Sequence, residues 1–194
     1  SCTAVNHVPM IRADIITSLS NLGNANDLEC KRYSIMTLAN LAANVETRAA
    51  ATRGGGLQTA VALGKDEDLD CRRYACIAMT NMANSAVTQE QLVVHGALPM
   101  ILQMAADLSD VESQRQALLA LNNLSACEVN HSSMVHKGTI KVLLTAFESK
   151  DPDCREYASF ALANMCSNPD YLEMLGVEGA IPPLIMLSRS ENLN

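Results

Sequence analysis

From residue 29 the chain reads ECKRYSIMTLANLAAN, and its apolar positions recur at steps of three and four, the period of a helix. The phrase returns as DCRRYACIAMTNMAN at 70–84 and DCREYASFALANMCSN at 153–168, with a diverged copy, ALLALNNLSA, at 117–126. Each copy sets an asparagine inside the apolar pattern at a matching position, 40, 81, 123 and 164, so the spacing is 41, 42 and 41. Ten residues before each stands Cys30, Cys71, Ser113 or Cys154, and Gly55, Gly96, Gly138 and Gly179 keep a third register. The segments GLQTAVAL, ALPMILQM, TIKVLLTA and AIPPLIML follow those glycines. Three markers holding one period of about 41 predict a helical solenoid.

Within 45–85 the pattern resolves into three helices. The first covers 46–53 and ends at RGGG, the second covers 56–64, and the third starts near Asp68 or Asp70 and ends near Asn84. The same division gives units at 1–44, 45–85, 86–127 and 128–168, and a partial unit at 169–194. The opening helix of the first unit is expected to be degenerate, because Asp14 stands where later units have glycine. A solenoid needs capped ends, so the segment is expected to be a slice of a longer array.

Composition narrows the function. The 194 residues are 48% hydrophobic but only 3% aromatic, with no Trp, so the core is built from Ala, Leu, Ile, Val and Met. A net charge of −7 argues against nucleic-acid binding. No apolar run reaches the roughly 18 residues of a membrane span. Seven cysteines in helical positions fit a reducing compartment, and the expected location is cytoplasmic, with a membrane tether or a nuclear address left to regions outside this segment.

Cys30, Cys71 and Cys154 occupy equivalent positions on helices whose axes lie roughly 8–10 Å apart. That is too far for a shared zinc with bonds of about 2.3 Å, so they read as small core residues and no metal or cofactor is expected. RGGG lacks the Lys-Ser/Thr of a phosphate loop, and His7, His95, His131 and His136 show no triad spacing. No catalytic residue is assigned.

The wording HGALPMILQM with ALLALNNLSA, and EGAIPPLIML with SIMTLANLAAN, resembles the armadillo repeat over essentially the whole chain. That resemblance implies an all-α fold, a right-handed α–α superhelix of about four and a half three-helix repeats. At about 100° per residue, Cys30, Ser34, Thr37, Leu38 and Leu41 share one broad side of the third helix, and Asn40, Met36, Tyr33 and Glu29 share another. In armadillo proteins such as β-catenin and importin-α, third helices line a groove whose asparagines hydrogen-bond the backbone of an extended peptide. The matching residues are Asn40, Asn81, Asn123 and Asn164. A carboxamide suits the task because it both donates and accepts. The other reading is that these amides only satisfy neighbouring backbone.

Four residues earlier stand Met36, Ile77, Leu119 and Phe160, where importin-α proteins typically carry Trp, so import-signal binding is disfavoured. Seven earlier stand Tyr33, Tyr74, Gln116 and Tyr157, which either face the groove or lie flat on the neighbouring helix. Eight earlier come Arg32, Arg73 and Arg115, expected to meet acidic groups of a partner, or else to pair with Glu29, Asp70, Glu112 and Asp153. The expected function is a non-catalytic scaffold that binds other proteins through extended peptide segments, of acidic character if those arginines are free to meet them, without nucleic acid or direct membrane insertion. Self-assembly into a homo-oligomer and nuclear-import cargo binding are the alternatives.

Overall fold

In the computed structural model, residues 3–171 and six positions between 176 and 185 are described. The partial unit expected at 169–194 lies for the most part outside them. Every regular element among the described residues is helical. A 3-10 turn, Ala4–Asn6, precedes α1 (His7–Arg12), α2 (Ile15–Gly23) and α3 (Leu28–Ala43). The next three are α4 (Val45–Thr52), α5 (Gly56–Leu63) and α6 (Leu69–Met82). Then come α7 (Ala86–Val94), α8 (Leu98–Ala105) and α9 (Val111–Ser125). After a 3-10 turn at Glu128–Asn130, the last triplet is α10 (His131–His136), α11 (Thr139–Ala146) and α12 (Pro152–Cys166). No described helix is long and apolar enough to cross a membrane.

The chain forms two compact units, 1–100 and 101–194, and the division falls inside α8. In the first, α3 packs against α2, α4 and α6, and α5 packs against α6. In the second, α12 packs against α9 and α11. The third helices bury their small apolar stripe completely: Leu38, Leu41 and Ala42 on α3, Ala75 and Met82 on α6, and Ala158, Leu162 and Met165 on α12 all have no exposed area. Small residues on that stripe let helix axes approach closely.

Each third helix starts on an aspartate. Asp27, Asp68, Asp110 and Asp151 accept from the main-chain N–H of Cys30, Cys71, Ser113 and Cys154 at 2.7, 2.9, 3.3 and 3.0 Å. Glu29, Asp70, Glu112 and Asp153 follow in the first turn, where a negative charge suits the helix dipole. Between first and second helices the chain turns through a left-handed residue, Gly55 at φ 99°, Gly96 at 85° and Gly138 at 80°. Asp14 takes the same conformation at φ 55°, so the first unit makes the turn without glycine. Aspartate is among the few residues that tolerate it.

The ends of α3, α6 and α9 are closed by side chains of the segment that follows. Thr47 Oγ1 donates to Leu41 O at 2.7 Å and Arg48 Nε to Ala42 O at 2.8 Å. Thr88 Oγ1 and Gln89 Nε2 donate to Met82 O and Ala83 O at 2.8 and 3.1 Å. Asn130 Nδ2 and His131 Nε2 donate to Leu124 O and Ser125 O at 3.0 and 2.7 Å. Each donor lies six residues beyond its acceptor, and together they satisfy carbonyls that a helix end would otherwise leave orphaned. Thr47 is buried, so Thr47→Val removes the donor while keeping the shape and strands the Leu41 carbonyl. The expected outcome is a loss of about 1–3 kcal/mol in urea-unfolding free energy, with the helical circular dichroism of the native state unchanged.

Candidate functional site

The four asparagines and the residues four and seven positions before them lie on the side of the third helices that the core leaves uncovered. Asn40, Met36, Tyr74, Ile77, Asn81, Gln116, Leu119, Asn123, Tyr157 and Asn164 are all half-buried, while Tyr33 is 58% and Phe160 45% exposed. The opposite stripe is the packed one, and there Cys71 and Cys154 are fully buried whereas Cys30 is half-buried. Burial pushes the Cys71 and Cys154 thiols up to about 11, which leaves little thiolate at neutral pH.

The asparagines make specific bonds to their neighbours. Asn81 Nδ2 donates to Ala39 O of α3 at 3.4 Å, one residue before Asn40. Asn164 Nδ2 reaches the equivalent carbonyl, Asn122 O of α9, also at 3.4 Å, and additionally Asn122 Oδ1 at 3.3 Å and Ser125 Oγ at 3.0 Å. The main-chain bonds are long and therefore weak. They engage only the amide nitrogen: among the described residues, the carboxamide oxygens of Asn81 and Asn164 accept nothing, and the Asn40 side chain makes no hydrogen bond. Part of the ladder's donor capacity thus holds the neighbouring helix, and its acceptors stay open.

The arginines are employed within the chain. Arg32 grips Asp68 in bidentate fashion, Nε to Oδ1 at 3.0 Å and a terminal nitrogen to Oδ2 at 2.6 Å, with Asp70 at 3.5 Å. Arg115 repeats this on Asp151, at 3.3 and 2.5 Å, with Glu112 at 2.8 Å and Asp153 at 3.5 Å. Arg73 lies 3.9 Å from Asp70. The principal partner of Arg32 and Arg115 is therefore the capping aspartate of the next third helix in the same compact unit, and the first-turn acids take a secondary place. Lys31 adds a parallel pair with Asp66 at 2.8 Å.

Sequence reasoning missed this double use of the capping aspartates. Their spacing, Asp27, Asp68, Asp110 and Asp151, keeps the 41, 42 and 41 period and would have flagged them. An acidic partner at Arg32 and Arg115, the expectation from sequence, would meet guanidinium groups already held by two or three carboxylates.

Residues 58–150 match the family model described as Armadillo-like. No curated protein matches the chain. Among solved structures, a designed armadillo repeat protein superposes with a TM-score of 0.90 at 23% identity, covering 100% of this chain and 82% of its own. Another, described in complex with the peptide (KR)4, gives 0.87 at 22% identity, over 100% of this chain and 82% of its own. A third, described as computationally designed for modular peptide recognition, gives 0.88 at 24% identity over 96% and 79%. The chain is an armadillo-repeat solenoid in fold, all-helical in its described residues.

The ion pairs set an acid limit on stability. The Arg32 guanidinium, helped by the Cys71 N–H, holds the Asp68 carboxyl well below its ordinary value of 3.8, and Arg115 holds Asp151 at about 2. A carboxyl with a lower value folded than unfolded stabilises fully above the unfolded value, and the effect fades as pH falls through the folded one. The melting temperature should therefore be insensitive to these groups from about pH 7 to 5 and fall between about pH 4 and 2. The double variant Asp68→Asn, Asp151→Asn, which retains capping side chains, should start lower and show a shallower acid limb in melts monitored by circular dichroism.

Proposed function

We propose that the chain is a non-catalytic interaction scaffold whose third-helix faces bind an extended segment of a partner protein. The observation that carries this reading is the pair of unused carboxamide oxygens on Asn81 and Asn164, set on a part-exposed stripe of Tyr33, Met36, Tyr74 and Ile77 in one unit and Gln116, Leu119, Tyr157 and Phe160 in the other. An amide oxygen can only accept, so it selects a donor, and the main-chain N–H of an extended peptide offers one at regular intervals. The aromatic and aliphatic neighbours supply contact area for side chains. Asn40 and Asn123 complete the proposed ladder. Designed proteins of the same fold, described with a (KR)4 peptide and for modular peptide recognition, support peptide binding as the use of this architecture.

The charge of the partner does not follow from Arg32 and Arg115, which are self-paired, and Arg73 is left with them. Met36, Ile77, Leu119 and Phe160 make this a stripe without Trp slots, so a lysine-rich import signal is a poor fit.

Linear peptides selected from a random displayed library on the wild-type chain test the reading. Affinity for them should fall about 5- to 150-fold in the Asn81→Ala, Asn164→Ala variant, two hydrogen bonds at about 0.5–1.5 kcal/mol each, while the urea midpoint moves little. Unchanged affinity for every selected peptide in a folded variant would remove the ladder from the binding site. Concentration-dependent light scattering without any selected peptide would favour self-assembly instead.

A further inference from the structure

The first helices of two successive repeats, α4 and α7, stand on either side of a surface cleft of about 440 Å³. Its volume falls within the range of ligand sites, about 300–1,000 Å³. Val45, Ala49 and Val87 line it with aliphatic surface, and Val45 and Val87 are 79% and 65% exposed. Arg48 and Arg53 bring two guanidinium groups, and Asn84, Ser85, Thr88 and Gln91 bring polar groups at the start of α7 and beyond. No carboxylate lines the cleft.

The lining of the cleft is therefore cationic. The chain carries a net −7, and Arg32 and Arg115 are surrounded by acids. Arg48 spends Nε and one terminal nitrogen on Ala42 O and Ala43 O at 2.8 and 3.1 Å, which leaves its other terminal nitrogen. The Arg53 side chain, at the end of α4, has no hydrogen bond or ion pair among the described residues. Among the described residues, neither arginine has a carboxylate within ion-pair distance. Two cations without a carboxylate partner, above an exposed aliphatic floor, fit an anion joined to an apolar group.

We propose that the α4–α7 cleft docks an acidic peptide segment that carries an aliphatic side chain, at a site separate from the third-helix faces. The carboxylates meet Arg53 and the free edge of Arg48, and the aliphatic group covers Val45, Ala49 and Val87. This moves the acidic character expected of a partner from Arg32, Arg73 and Arg115 to the first helices, and it stands whether or not the asparagine stripe binds peptide.

A fluorescein-labelled Glu-Glu-Leu-Glu-Glu peptide, with Lys-Lys-Leu-Lys-Lys as control, tests it by anisotropy and by amide chemical shifts of the isotope-labelled chain. The acidic peptide should bind and move amides of α4, α7 and the Asn84–Ser85 turn, and the basic one should not. Arg53→Glu and Val87→Asp should each weaken binding at least 10-fold with an unchanged urea midpoint, and added salt should weaken it further. Absence of shifts on α4 and α7 at millimolar peptide, equal binding by Arg53→Glu, or equal binding of the basic peptide at this cleft would overturn the proposal.

Discussion

A chain folded into short helices has many helix ends, and each end carries main-chain groups with no partner inside its own helix. Closing those ends is the constraint on which this fold depends. At the N-terminal ends a capping aspartate accepts the orphan N–H, and at the C-terminal ends the following helix sends side chains back to the last carbonyls. Asp68 and Asp151 serve twice, because the same carboxylate that caps its helix takes the arginine of the preceding third helix. Capping and stacking become one interaction: the helix cannot lose its cap without loosening its neighbour.

That double use decides what each face of the third helix has left to offer. The stripe bearing Leu38, Met79 and Leu162 is spent on the core. The N-terminal edge, rich in charge by sequence, is spent on staples between neighbouring helices, and its arginines are balanced or outnumbered by acids. What remains open is the stripe of asparagines with the tyrosines and aliphatic residues around them. Its polar capacity is itself half used, since the amide nitrogens of Asn81 and Asn164 lean on the helix before them.

Most of the fold was legible in the sequence because a period of 41 to 42 was carried by three residue classes at once. The expected second and third helices of 45–85 differ from α5 and α6 by no more than two residues at either end. The division of the third helix into a packed and an open side was legible too, since helical angle fixes it. Distance across repeats was not. Angle alone put Arg32 beside Glu29 on its own helix, whereas the chain brings Asp68, 36 residues on, into bidentate reach. The donors closing the third helices were hidden for another reason: one position is filled by Thr47, Thr88 and then Asn130, and the next by Arg48, Gln89 and His131, so the task is kept while the residue type changes. A carbonyl requires only an N–H or O–H, so the position is constrained while its identity drifts.

The same logic explains how asparagine can keep its place where other polar residues drift. A threonine or lysine at position 81 could donate to the Ala39 carbonyl, and an aspartate could accept from outside, but the carboxamide does both from one rigid plane. If only the internal bond mattered, any donor of similar reach would serve, as it does at the helix ends. A long 3.4 Å contact to the neighbouring helix is also a poor return for a half-buried amide. At 81 and 164 the carboxamide is an acceptor held in place by its own donor. That is the property a ladder needs when it must grip the backbone of another chain and ignore its side chains.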